Sequence, residues 1–135
     1  MIQVVLVAAL VNFIIGFLLH GPVAGKLWMK LANITPTGNE KLSDMYPQMA
    51  KNFLANVVFA YVLAIVYSLA VTSPLVGREG PISGMICGFL VWIGFVVTSS
   101  SMEVIWMGRS YKLWLFEIFA SLASILAMGA IIGAW

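Results

Sequence analysis

The chain has 135 residues, of which 62% are hydrophobic and only 9% are charged. Ordinary globular domains are about 45–50% hydrophobic, so too few polar residues remain here to cover a water-soluble surface. The formal net charge of +2 comes from dispersed residues, which excludes the clustered basic face that nucleic-acid binding requires. The single cysteine, Cys87, excludes an intramolecular disulfide and a metal site built on several thiolates.

Four long apolar runs predict four transmembrane helices, because about 20 residues of helix cross the ~30 Å hydrocarbon layer of a bilayer. They cover roughly residues 2–19, 53–73, 82–101 and 113–135. The first run has no cation before it and is longer than the apolar core of a signal peptide, so we interpret it as a mature helix. We therefore predict an all-α integral membrane protein, an antiparallel bundle of four transmembrane helices that forms one domain over residues 1–135.

The segment after the first run begins with a predicted break at His20-Gly21-Pro22. Beyond it, apolar and cationic residues fall on opposite sides of a helix, with Leu27, Trp28 and Leu31 on one side and Lys26 and Lys30 on the other. This pattern predicts a short amphipathic helix that lies in the membrane interface. The alternative is an extension of the first helix past a kink. Ser43 or Asp44 is expected to cap the second transmembrane helix.

The distribution of lysine and arginine predicts how the chain is oriented in the membrane. The loop before the second helix and the loop before the fourth hold all of the loop cations except Arg78, namely Lys26, Lys30, Lys41, Lys51, Arg109 and Lys112. Such residues collect on the cytoplasmic side of a membrane, and acidic residues contribute little to this bias. We therefore expect a multi-pass protein of the cell membrane with these two loops inside and both termini outside.

Small residues recur at four-residue spacing along every predicted span. In lipid, helices associate through close backbone approach at small residues and through occasional hydrogen bonds, since burial from water supplies no driving force there. The predicted helix-packing residues are Asn12, Gly16, Ala60, Ala64, Gly84, Gly88, Gly129 and Gly133. The pattern leaves open whether the partner helix belongs to the same chain or to a second copy.

Polar residues gather at one depth of the predicted bundle, toward the cytoplasmic side. An up-and-down topology brings five of them to similar height, and we interpret them as a possible polar vestibule: His20, Asn56, Thr98, Ser101 and Glu117. No second histidine and no suitable cysteine accompanies His20, so we expect no metal site and no cofactor. Trp92 lies in mid-membrane, where its indole N–H needs a partner.

Glu117 is the residue whose role the sequence leaves most open. A carboxylate in a membrane helix is costly unless it faces a partner, a cavity or the interface. It could pair with Lys112 or Arg109 near the interface, or accept a structural hydrogen bond from His20, Asn56 or the Thr98–Ser101 cluster. The third alternative is a role in binding a ligand or handling a proton.

The chain resembles a known family through short motifs spread over nearly its whole length. These are the first helix with Asn12 and Gly16, then His20-Gly21-Pro22 running into Gly25-Lys26-Leu27-Trp28-Met29-Lys30, Trp92-Ile93-Gly94-Phe95, and Met128-Gly129-Ala130-Ile131 before Trp135. The pattern is similar to that of bacterial integral membrane proteins catalogued as domain of unknown function 1761. The resemblance implies four transmembrane helices in a bacterial inner membrane. It implies no activity and transfers no functional residue.

Three classes of function compete. The first is a small non-catalytic membrane protein that forms a homo-oligomer or accompanies a larger membrane assembly, as the small-residue stripes suggest. The second is an oligomeric carrier or channel for a small solute that uses the cytoplasmic-side vestibule. The third is a membrane-embedded enzyme, which we do not expect because no nucleophile, phosphate-loop or paired-carboxylate motif is present.

Overall fold

A computed structural model describes residues 2–21, 24–33 and 46–135, and this part of the chain is helical with no strand. Its helices are α1 (Ile2–Leu19), α2 (Gly25–Ala32), α3 (Tyr46–Ala70), α4 (Pro81–Val91), α5 (Thr98–Met107) and α6 (Tyr111–Ala134), and a π-helical segment, Trp92–Val97, joins α4 to α5. Four helices are long and apolar enough to cross a membrane, the third being the continuous run Pro81–Met107. The predicted fold class, a helical membrane bundle with a short helix after the first span, is confirmed.

The observed helices extend beyond the apolar runs that predicted them. The second long helix begins at Tyr46 instead of near residue 53, and the third ends at Met107 instead of near residue 101. Hydropathy marks only the part of a helix that meets lipid, whereas backbone hydrogen bonding continues through polar residues. Pro47 fits the first turn of α3, where its missing N–H leaves no bond unmade. The expected caps, Ser43 and Asp44, lie outside the described residues.

Within the bundle, α6 packs against both α1 and α4, and α3 packs against α1. The tightest contact is between α4 and α6, where glycines replace side chains. A Cβ added at Gly84 would overlap the carbonyl oxygen of Gly129, and one added at Gly133 would overlap that of Gly80. Backbone therefore touches backbone along this seam, as small-residue stripes permit in lipid.

The third span changes its helical pitch at Trp92. The Trp92 ring is buried, and its indole N–H donates to the carbonyl oxygen of Ile118 in α6 at 2.7 Å. After the π-helical segment, the hydroxyls of Thr98 and Ser100 donate to carbonyls one turn earlier in the same helix. A π-helical segment adds a residue to a turn and so rotates everything beyond it about the helix axis.

The packed core occupies the half of the bundle nearest the two chain ends. Its fully or almost fully buried members are Val5, Ala8, Ala9, Ala60, Leu63, Ala64 and Met128. The outer surface is apolar as well, and large side chains such as Leu54, Leu69 and Phe95 are more than half exposed. A contiguous apolar exterior around an apolar core is the pattern of a protein surrounded by lipid.

Candidate functional site

A cavity of about 470 Å³ lies in the other half of the bundle, between α1, α3 and α6 and beside α2. Its polar lining residues are Asn12, His20, Asn52, Asn56, Glu117, Ser121 and Ser124. A smaller cavity of about 290 Å³ shares Asn12, Asn56, Ser121 and Ser124 with it and reaches the buried Met128. The two cavities thus share four polar residues, and the smaller one reaches the packed core at Met128.

Three residues at four-residue spacing, Asn12, Gly16 and His20, bring one face of α1 to the cavity. Gly16 contributes by its lack of a side chain, since a Cβ built there would meet nothing within 4 Å. Its carbonyl oxygen accepts two hydrogen bonds from His20, one from the backbone N–H at 3.0 Å and one from ring Nδ1 at 2.9 Å. The end of α1 thus fixes the orientation of the imidazole.

Glu117 is the centre of the polar contacts at the end of the cavity. Its Oε2 lies 3.1 Å from Nε2 of His20, and its Oε1 accepts a hydrogen bond from the indole N–H of Trp28 at 2.8 Å. Trp28 belongs to α2, so this bond ties the short helix back onto α6. The rings of Trp28 and Phe116 also pack edge-on against the imidazole, with centroids 5.1 Å and 5.7 Å away.

The geometry around His20 requires a proton between the imidazole and the carboxylate. A carbonyl oxygen can only accept, so Nδ1 must donate to Gly16. In a neutral ring Nε2 then carries a lone pair, which would face the lone pairs of Glu117 Oε2. A hydrogen bond at this contact therefore needs one proton more, held as imidazolium beside carboxylate or as imidazole beside carboxylic acid. His20 and Glu117 form a pair that binds one shared proton.

The electrostatics at the histidine agree with this assignment. Its hydrogen bond to Glu117 raises the pKa of His20 above the usual value for histidine; desolvation opposes this shift, and the bond to Gly16 adds to it. The side chains of His20 and Glu117 are 30% and 33% exposed, so both remain accessible from the cavity. Arg109 contributes a favourable electrostatic interaction with Glu117 while forming its own ion pair with Glu103.

The structure brings together three of the five residues predicted to form the vestibule. His20, Asn56 and Glu117 all line the cavity, and of the alternatives for Glu117 it forms the hydrogen bond to His20. Thr98 and Ser101 do not line it. Their hydroxyls donate to the carbonyls of Gly94 and Thr98 in their own helix, as Ser and Thr commonly do within helices.

The predicted packing residues divide into two groups. Those buried at helix contacts are Ala60, Ala64, Gly84, Gly88 and Gly129, and Gly133 approaches the backbone of Gly80. Asn12 and Gly16 instead line the cavity, and no helix backbone approaches Gly16. The stripe on α1 is therefore a cavity wall at its polar end and a packing surface only near Ala8.

Four functional candidates were missed by reasoning from the sequence: Trp28, Asn52, Ser121 and Ser124. The two serines follow Glu117 by four and seven residues, and Asn52 precedes Asn56 by four, so helical spacing to a predicted site residue was an available signal. Trp28 carried no such signal, because its position depends on how α2 folds back. Among the described residues, no group of three His, Cys, Asp or Glu side chains could hold a metal ion.

These features define a helical membrane protein with a cavity, lined in part by polar side chains, at one end of a four-span bundle. The chain matches a family model over residues 3–133, and it belongs to that family, described as protein of unknown function (DUF1761). The resemblance to this family is thereby confirmed. No curated protein and no solved structure matches the chain.

Proposed function

We propose that this protein is a non-catalytic membrane carrier that binds a small polar solute in the cavity between α1, α3 and α6. The observation that carries the proposal is the cavity itself, with about 470 Å³ of space and seven polar side chains in its wall. Sites for small molecules commonly measure about 300–1,000 Å³ and hold a few convergent polar groups. Polar side chains inside a membrane are costly, and a site that is used accounts for their presence.

The amide groups in the wall can bind a solute. Neither Asn12 nor Asn56 forms a side-chain hydrogen bond with any other residue in the described ranges, and both line the larger and the smaller cavity. Each amide offers donors and acceptors to a guest. A site of this composition favours a ligand that forms several hydrogen bonds over a purely apolar one.

A carrier accounts for the cavity better than an open channel. The smaller cavity reaches Met128 of the buried apolar core, so the described residues form no continuous polar path across the bundle. Passage of a solute would need a rearrangement of the helices, which is how carriers operate. With the positive-inside orientation, the mouth of the cavity would face the cytoplasm.

Association with other chains remains part of the proposal. Four helices enclose little volume, so we expect the carrier to work as a homo-oligomer. The glycines of α4 and α6 that suggested self-association are already packed against each other within one chain. An interface between two copies would therefore use a surface other than the α4–α6 contact. The same holds if the protein is an accessory subunit that binds a larger membrane assembly.

A matched pair of leucine substitutions tests whether the cavity binds a solute. Gly16→Leu places a side chain in the cavity, and Gly94→Leu places one on the exposed surface of the third span; neither Cβ meets any atom within 4 Å. Protein in lipid nanodiscs would be screened by native mass spectrometry for bound species, and proteoliposomes for uptake of labelled polar solutes. We expect Gly16→Leu to abolish binding and uptake that Gly94→Leu retains. Equal loss in both variants, or no solute bound by the unaltered protein, would refute the proposal.

A further inference from the structure

The described part of the cavity wall contains one acid and one base. Among the described lining residues, Glu117 and His20 are the ionisable groups, and they share a single proton through their contact at 3.1 Å. Loaded with that proton, the pair has no net charge. Without the proton, the pair is an anionic carboxylate beside a neutral imidazole.

Aromatic side chains share the cavity with this carboxylate. Phe13, Phe17 and Trp28 all line it, and the indole N–H of Trp28 bonds directly to Glu117. The faces of aromatic rings attract cations, and rings grouped around an anionic group form the chemistry that recognises organic ammonium ions. The amides of Asn12 and Asn56 can bind further polar atoms of the same guest.

We propose that the cavity binds a small organic monocation, an amine or a quaternary ammonium ion, in exchange for the proton held between His20 and Glu117. This inference rests on the proposed function and specifies the ligand class of the same site. The cation would contact Oε2 of Glu117, and the proton would leave Nε2 of His20 to water, so no bond to carbon forms or breaks. The ring would keep its hydrogen bond from Nδ1 to Gly16.

Charge balance favours this exchange over the alternatives. One positive charge enters and one leaves, so the cavity stays neutral before and after binding. An anion, or a cation bound without loss of the proton, would place an uncompensated charge in a partly desolvated site, which is costly. A neutral solute would have no reason to displace the proton.

The other charged groups on the described helices do not supply a competing partner inside the cavity. They are exposed, apart from the partly exposed Glu103, and none belongs to the cavity wall: Lys26, Lys30, Lys51, Glu103, Arg109 and Lys112. Arg109 and Glu103 pair with each other. The shared proton is therefore the mobile charge available where a guest would bind.

Titration calorimetry on the protein in nanodiscs tests the exchange, with choline and benzyltrimethylammonium as probes. The uncharged isostere of choline, 3,3-dimethyl-1-butanol, is the matched control ligand. We expect both cations to bind and the isostere to bind at least tenfold more weakly. Repeating the titration in buffers of different ionisation enthalpy should give a release approaching one proton per cation bound at low pH. Affinity should rise up to tenfold per pH unit until the pair is deprotonated.

Two substitutions assign the roles within the pair. Glu117→Gln should abolish binding of both cations, and His20→Gln should retain binding while changing the pH range over which a proton is released. Failure of both cations to bind, or binding without proton release by the unaltered protein, would overturn the inference. If neutral solutes were bound or transported and Gly16→Leu blocked them, the carrier function would stand without cation exchange.

Discussion

Nε2 of His20 lies 3.1 Å from Oε2 of Glu117, although 97 positions separate the two residues in the chain. The contact joins the end of the first span to the last span, and Trp28 adds the short helix α2 through the other carboxylate oxygen. One side chain thus holds three elements together at the end of a cavity. A solute that engages Glu117 would act on all three of them, which gives binding a direct route to movement of α2.

The stability of the protein should depend on pH through His20. Its pKa is raised in the folded state, so folding favours the protonated form. The resulting stabilisation is complete below the pKa of the unfolded histidine and is lost as the pH rises through the folded value. We expect the Tm in detergent to fall over that window. Because the chain has a single histidine, His20→Gln should remove this part of the profile. If the difference in Tm between the two proteins were the same at every pH in this window, the prediction would be contradicted.

The bond from Trp28 to Glu117 should contribute measurably to stability. Trp28→Phe keeps an aromatic ring beside His20 and removes the indole N–H that donates at 2.8 Å. A hydrogen bond to a charged group contributes about 1.5–3 kcal/mol, and the partial exposure of Glu117 reduces this, so we expect a loss of about 1–2 kcal/mol in mixed-micelle unfolding. Trp106→Phe is the control, because Trp106 is 80% exposed. Equal effects from the two substitutions would show that the bond contributes nothing.

The glycine seam between α4 and α6 should tolerate no added methyl group. Gly84→Ala would drive a Cβ into the carbonyl oxygen of Gly129, and backbone on both sides leaves no side chain that could move away. Overpacking of this kind costs about 1–3 kcal/mol. Gly94→Ala is the matched control, since its Cβ meets nothing, and its stability should be unchanged or slightly higher. Unfolding of both variants in mixed micelles measures the difference in stability. A Gly84→Ala protein as stable as the control would refute the close backbone contact between α4 and α6.

The sequence predicted the height of the polar residues better than their direction. Hydropathy fixes where a residue lies along the membrane normal, and this was enough to place His20, Asn56 and Glu117 together. It does not fix rotation about a helix axis. Thr98 and Ser101 lie just beyond the π-helical segment, which rotates the following residues away from an ideal α-helical face. Their hydroxyls bond to carbonyls within their own helix.

Trp28 illustrates a different limit. Its place on the apolar side of an amphipathic segment, opposite Lys26 and Lys30, predicted an interfacial aromatic residue. Its bond to Glu117 depends on the angle at which the chain turns after His20, and this angle is set by long-range packing. Gly25 takes part, since a Cβ there would come within 3.1 Å of the His20 carbonyl oxygen. Such a contact becomes visible only when distant segments are brought together.

The orientation of the chain in the membrane is a prediction that cysteine labelling can test. Because the chain has one cysteine, a single substitution gives a background without thiols. Cys87→Ala is that substitution, and it replaces one small buried residue by another. Leu75→Cys and Met107→Cys then place single thiols in the second loop and at the last residue of α5, next to the third loop; the native residues there are 77% and 79% exposed. If both termini lie outside, a membrane-impermeant maleimide added to intact cells should label position 75 and leave position 107 unlabelled until the membrane is opened. The reverse labelling pattern would indicate the opposite orientation, with the mouth of the cavity, His20 and Glu117 on the outer side of the membrane.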